Sequence, residues 1–588
     1  MDSANLPERL RELFHSNEPL SDEDIHQTQR VRHERQSSIE NLRSKLADIE
    51  AQIREMRKQK GQLMNEIAQR KKDIRACDML LSHARFLPAE ILQLIFLYAL
   101  PTEVSQRHQH WASKYVDNAP ISLTQVCRHW RQVALGTPEL WTLFSLRTFK
   151  TSMLQVRGDA FERMVKDYFS RAGDLPKSID FHYGLGFTPS HMNTLLPCLF
   201  NSVLVENLTL SSPHLLDTNN ALNAYNRNGR LTKRLTNLKS LVLRETASAN
   251  RESTFTMPFP SNQRVLSNLT QLRRVEIEHS RSADLWAPAL FDFDIDADRQ
   301  GLPLPWNQLT HLSIVPWITY ETWSQMFKSC TSLVRGTFYI VDGGETDDTG
   351  TNLIPLLPHS NLIDLTLIQK HFTSEPFVFE AYNFPSLISL RLGAYNQPHT
   401  AKAFDWSRIR TQIFNLTTLS LYHLTWEMAV SEIVQLFLAT PNLLSLAMGV
   451  STDYNAVFEH FQIDWNGHAL LPKLKELTLD CVDARYKDLE DDTLAGTTTS
   501  RSESSRFLSL TADGFSEMVK DRWRPVEEIA QIERVSLFLP RTHEPMLEAV
   551  RHSLRREVKE GLHLTVQVSE RPQWDDPLLG GLTHWDDM

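Results

Sequence analysis

The feature that most restricts this chain is a recurring phrase, apolar-x-x-Leu-x-x-Leu-x-Leu, with drift. It stands as LTNLKSLVL (235–243), LTQLRRVEI (269–277), WNQLTHLSI (306–314), CTSLVRGTF (330–338) and SNLIDLTL (360–367). It returns as FPSLISLRL (384–392), FNLTTLSL (414–421), TPNLLSLAM (440–448), LPKLKELTL (471–479) and IAQIERVSL (529–537), with weaker copies at 175–181 and 205–210. Measured at the last apolar residue, most spacings fall between 24 and 37 residues; the one from 479 to 537 is 58, about two repeats. The closing Leu-x-Leu has the period of a strand. The intervals carry helix-like apolar spacing, as in WEMAVSEIVQLFLAT (426–440). One strand-plus-helix unit cannot bury its own apolar face, whereas stacked units can. A chain of 588 residues exceeds one ordinary compact core unless it grows lengthwise in this way.

A strand and a helix at this period resemble a leucine-rich repeat, of the irregular long-repeat class without a strict asparagine ladder. The resemblance implies an α/β solenoid over 147–568 that binds a target protein on its strand face. A polar, Ser/Thr-rich insertion spans 484–506. Residues 544–568 read as a helix, a Gly561 cap and a final strand that closes the array. The acidic tail 569–588 reads as loose.

The N-terminal part follows another rule. Residues 1–36 are charged and aperiodic and read as a flexible leader. Ser37 and Glu40 have capping-box spacing. A heptad then runs through Ile39, Leu42, Leu46, Ile49, Ile53, Met56, Leu63, Ile67, Ile74 and Leu81, with Lys60, Arg70 and Cys77 at the remaining seam positions. The spacing predicts one coiled-coil helix over 37–85. Its seam over 39–81 must be covered, either by self-association or a partner helix, or by the chain's own remainder. The basic residues along it are interleaved with acids, which suits a solvated face.

Residues 86–146 hold the most specific pattern. Leu87-Pro88-Ala89-Glu90-Ile91-Leu92 is followed by Ile95-Phe96, then Val126-Cys127-Arg128-His129-Trp130-Arg131, then Leu140-Trp141. Pro88 suits a first helical turn, since its missing N–H costs nothing there. Ile91, Leu92, Ile95 and Phe96 are expected to share one apolar face. A second amphipathic helix is expected from Ile121 to a Gly136 cap. In order and chemistry this resembles the F-box, in the version of mushroom-type fungi that carries a preceding coiled coil and an expanded loop. The resemblance implies that Leu87, Pro88, Ile91, Leu92, Ile95, Leu123, Val126 and Trp130 form or support a face that docks on the Skp adaptor. That adaptor links such chains to a cullin–RING ubiquitin ligase. The chain departs from the family in an inserted loop at 101–120 and in lacking the usual acidic residue ahead of Leu123.

The fold class expected is therefore mixed α/β: a long coiled-coil helix, a small all-α F-box and an irregular leucine-rich-repeat-like solenoid. The function expected is substrate recognition, with no catalysis, cofactor or metal of its own; the alternative is a coiled-coil scaffold without a ligase link. Net charge is −10, which argues against nucleic acid as a partner. Five scattered cysteines lack zinc spacing and suit a reducing compartment, cytoplasmic or nuclear. No phosphate loop or hydrolase motif occurs. No apolar run is long enough to span a membrane.

Overall fold

The computed structural model describes residues 7–16, 19–81, 86–100, 119–148, 158–183, 204–212, 230–245, 265–279, 304–341, 357–369, 382–394, 406–462, 469–481, 510–525, 529–540 and 543–568, with a few isolated positions between 196 and 226. The loop at 101–118, the insertion 484–506 and the tail 569–588 lie outside the described residues. The chain divides into two compact units, Met1–Leu92 and Gln93–Met588.

The first unit is helical. Helix α1 spans Glu8–Ser16 and helix α2 spans Asp22–Leu81. Much of the expected leader is thus ordered, and α2 starts fifteen residues before Ser37. Its true cap is a local box: the Asp24 amide donates to the Ser21 hydroxyl and the Ser21 amide to the Asp24 carboxylate, each at 3.2 Å. Arg9 reaches Asp24 at 3.4 Å. The Ser21 contacts hold the Asp24 carboxyl below its ordinary range. The heptad missed this stretch because residues 22–36 offer good helix formers but few apolar seam residues. At 60 residues and ~1.5 Å per residue, α2 is about 90 Å long.

Helix α3 (Ala89–Tyr98) contains the division between the units. Beyond it, the single helix expected over 121–136 is two, α4 (Ala119–Val126) and α5 (Arg128–Leu135). Cys127 is extended, with φ −157° and ψ 173°, and its sulfur accepts from the Trp130 amide at 3.4 Å. A residue that caps one helix cannot continue another. Gly136 ends α5 as expected, its N–H reaching the last carbonyls.

The rest is built on strands. These are β1 (Leu143–Thr148), β2 (Ser178–Tyr183), β3 (Asn207–Ser212), β4 (Ser240–Glu245), β5 (Arg274–His279), β6 (His311–Thr319), β7 (Arg335–Val341) and β8 (Leu357–Pro358). They continue as β9 (Asp364–Gln369), β10 (Tyr382–Asn383), β11 (Ser389–Ala394), β12 (Thr418–Glu427), β13 (Ser445–Ser451), β14 (Glu476–Asp480), β15 (Arg534–Leu539) and β16 (His563–Val568). Fourteen form one parallel sheet in chain order; the short β8 and β10 pair with each other beside it.

All twelve phrases land on strands of this sheet. Its first strand, β1, begins at Leu143 and pairs with β2, so the expected boundary at 146/147 falls inside it. The 58-residue gap is one step, because β14 pairs directly with β15. A helix, Ala512–Trp523, fills part of the interval. Its buried Arg522 donates to the carbonyls of Leu470 and Leu471 at 2.7 and 2.6 Å, and burial lowers its pKa to about 10. Leu471 sits at φ +52°, so this bond holds a left-handed turn just before β14.

Register explains the phrase. Its two closing positions form two ladders across the sheet, such as Leu208–Leu241–Val275–Leu312 and Leu210–Leu243–Ile277–Ile314. In β4 to β7, β9 and β11 to β14 the leucine three residues ahead of the pair is also buried, as at Leu238, Leu272, Leu309, Leu387 and Leu416. Its N–H closes a tight turn, as from Leu238 to the Leu235 carbonyl at 3.0 Å. Burying one such side chain stabilises by roughly 1.5–3 kcal/mol, and the array repeats it with most of its strands. At the C-terminus the expected helix is interrupted at Leu554, giving Glu544–Ser553 and Arg555–Lys559. Gly561 follows at φ +119°, a conformation that favours glycine.

One buried base couples this packing to pH. His359 is 4% exposed and its ring lies 4.2 Å from that of Phe327. Burial lowers its pKa from 6.5 to about 4. The neutral ring is therefore the folded form, and the unfolded chain binds the extra proton. The stability it permits is complete above pH 6.5 and is lost as pH falls towards 4. Acid titration of unfolding free energy should fall across that window, and a His359→Leu chain should fall less steeply. Identical slopes would remove His359 from the account.

Candidate functional site

Helix α3 starts where expected: the Leu92 amide donates to the Pro88 carbonyl at 3.0 Å. Its apolar residues do not share one face. Leu92 and Phe96 are fully buried, whereas Ile91 and Ile95 are each 43% exposed. Leu94 and Tyr98 are exposed too, at 52% and 82%. Ile91, Leu94, Ile95 and Tyr98 follow the i, i+3, i+4, i+7 spacing of one helical stripe. Leu94, Tyr98 and the exposed Phe86 were not among the expected residues. The available signal was that α3 is apolar except for Glu90 and Gln93, which implies that more than one side is covered.

Of the other expected residues, Leu87 is half-buried and Pro88 exposed. Leu123 and Trp130 are half-buried and Val126 is 58% exposed. The Trp130 ring packs 5.0 Å from that of Phe96, tilted by 58°. The break between α4 and α5 is braced by Arg131, whose Nε donates to the Thr124 carbonyl at 2.8 Å. Phe96 and Trp130 thus support each other and Leu92 is buried, while Pro88, Ile91, Ile95 and Val126 are the expected residues that reach solvent.

Leu140 and Trp141 belong to the sheet end of this segment. Both are buried. The Trp141 Nε1 donates to the Ala134 carbonyl at 2.8 Å, and the Arg171 guanidinium lies 4.3 Å over its ring. Tyr168 meets it edge-on at 5.0 Å and donates to the Leu143 carbonyl at 2.8 Å. Burial raises the Tyr168 hydroxyl well above its ordinary range. Trp141 and Tyr168 together therefore join α5, β1 and α6 (Gly158–Ser170).

The sheet offers a second surface, opposite the leucine ladders. There β4 and β5 carry a buried Arg244–Glu278 ion pair, and Arg274 reaches Glu276 at 2.6 Å. Further along, Trp317, Tyr339, Ile368 and Tyr422 form an apolar cluster. The Arg244–Glu278 pair spans two strands in register, whereas Arg274 and Glu276 lie two residues apart on β5. Among the described residues no cluster of His, Cys, Asp or Glu can hold a metal ion. Cys330 and Cys481 are buried, and burial raises both thiols far above their ordinary range. No helix among the described residues is long and apolar enough to cross a membrane.

No family model matches the chain, and no curated protein matches its sequence.

Proposed function

We propose that the chain is a substrate receptor of a Skp–cullin–F-box ubiquitin ligase, docking on the Skp adaptor through residues 86–146. The strand-and-helix array is read as a leucine-rich-repeat solenoid that holds the target. The observation that carries this reading is the division within the F-box-like motif. Some of its apolar residues, Leu92, Phe96 and Trp141, are buried, while Ile91, Ile95 and Val126 stand in solvent. A chain that leaves apolar motif residues exposed at this density has a use for them. In this reading the adaptor covers them, the target sits on the array, and transfer chemistry belongs to the partner enzymes.

The test is co-expression with the host Skp adaptor. Wild type should co-purify. An Ile91→Ala/Ile95→Ala/Val126→Ala chain, changed only at exposed positions, should lose at least about 100-fold in affinity, since core anchors cost ~2 kcal/mol or more each. A folded wild-type chain that captures no adaptor would overturn the proposal. The exposed seam of α2 then favours the second reading, a coiled-coil scaffold that presents the array without a ligase link.

A further inference from the structure

The α2 seam is open along its length. Ile39, Leu46, Ile53, Leu63, Ile67 and Ile74 are all between 43% and 60% exposed. A helix this long is stabilised mainly by covering its apolar stripe. The flanking charges say what covers it. In the heptad of Ile39 and Leu42, positions e hold Arg43, Glu50, Arg57, Met64, Lys71 and Asp78, and positions g hold Lys45, Glu66 and Asp73 among others. Flanking charges of this kind set partner and orientation in coiled coils.

From this we infer that α2 pairs with α2 of a second copy in antiparallel register, centred on Lys58. In that register Ile39 meets the partner's Cys77, Ile53 meets the partner's Leu63, and Ile67 meets the partner's Ile49. Lys60 and Arg70 fall opposite the partner's Met56 and the partner's Leu46, so no seam cation meets itself. Antiparallel helices bring e beside e and g beside g. Arg43 then faces the partner's Asp78, Glu50 faces the partner's Lys71, and Lys45 faces the partner's Glu66. All three are attractive, and each occurs twice by symmetry.

The competing arrangements are worse. A parallel pair in register also gains Lys45 with the partner's Glu50, and Glu66 with the partner's Lys71. It sets Asp73 against the partner's Asp78, however, and stacks Lys60 and Arg70 on their own copies in the seam. Sliding the antiparallel pair by one heptad opposes Glu50 to the partner's Asp78 and Arg57 to the partner's Lys71. Within its own helix Arg70 has Glu66 one turn away at 3.8 Å. That pairing lets Arg70 lie along the seam edge with its stem on the partner's Leu46.

The inference is independent of the ligase reading and is tested on the full chain. Light scattering should give a dimer. Under mild oxidation Ile39→Cys should form an interchain disulfide to Cys77, identified by peptide mapping. Wild type should form no Cys77–Cys77 bridge, because the two thiols lie roughly 57 Å apart in this register at ~1.5 Å per residue. Glu50→Lys should weaken the dimer about three- to tenfold, and adding Lys71→Glu should restore it. In a parallel pair the double variant is weaker than either single one. A monomeric wild type, a Cys77–Cys77 bridge, or additive loss in the double variant would each overturn the assignment.

Discussion

Replacing Trp141 by alanine is expected to cost about 3–5 kcal/mol of unfolding free energy, the range for emptying a fully buried tryptophan site. The side chain is 0% exposed. The change leaves a cavity, removes the donor to the Ala134 carbonyl, and strips the Arg171 guanidinium and the Tyr168 ring of their partner. Trp141→Phe keeps much of the packing, loses the N–H, and should cost about 1–3 kcal/mol. Denaturant titration measures both. Hydrogen exchange locates the damage: amides of α5 and β1 should lose protection before those of β12 and β13. A Trp141→Ala chain within about 1 kcal/mol of wild type would show that α5 and β1 do not depend on this joint.

The second large effect runs against the repeat pattern. Gly336 lies in the ladder between Leu312 and Leu365, where almost every other strand has a branched apolar residue. By pattern alone, Gly336→Leu restores the rule and should stabilise. The packing predicts the opposite. A Cβ at Gly336 would stand 2.6 Å from the Phe338 ring and 3.3 Å from Leu333. The ring of Phe338 fills the space that the missing leucine would take. Gly336→Leu should therefore destabilise by about 1–3 kcal/mol, as overpacking does. Phe338→Leu should cost a similar amount alone by opening a void. Together the two changes return Leu-x-Leu to this strand, and the pair should be less harmful than the sum of the singles. Strict additivity would mean that Phe338 does not compensate for the glycine.

Part of this architecture is written directly in the residues. Strands were legible because a period of two is written into each phrase, and the leucine ahead of it marks the turn. Leu238, Leu309 and Leu416 could be placed in a core from spacing alone. The 58-residue interval could not, because nothing in a sequence says whether a long stretch hides a strand or loops past one; β14 pairing with β15 decides it. Ser37 was a plausible helix start by its side chain, and Ser21 with Asp24 an equally good one. Only the extent of backbone bonding separates them. In residues 86–146 the motif residues were visible but their direction was not. On a helix apolar over most of its circumference, such as α3, spacing cannot say that Leu92 turns inward while Ile91 and Ile95 turn out. Cys127 was read as an apolar residue of one helix and is the joint between two.

The strand order has a further consequence for how such a chain can change over time. Each strand of the sheet pairs with the one before and the one after in the order β1 to β7, β9 and β11 to β16. A duplicated or deleted unit therefore needs no rerouting of its neighbours; the array closes over the change. Recombination at the turn ahead of any strand yields a longer or shorter sheet in a single step. An array built this way can alter its surface by copy number as readily as by point substitution.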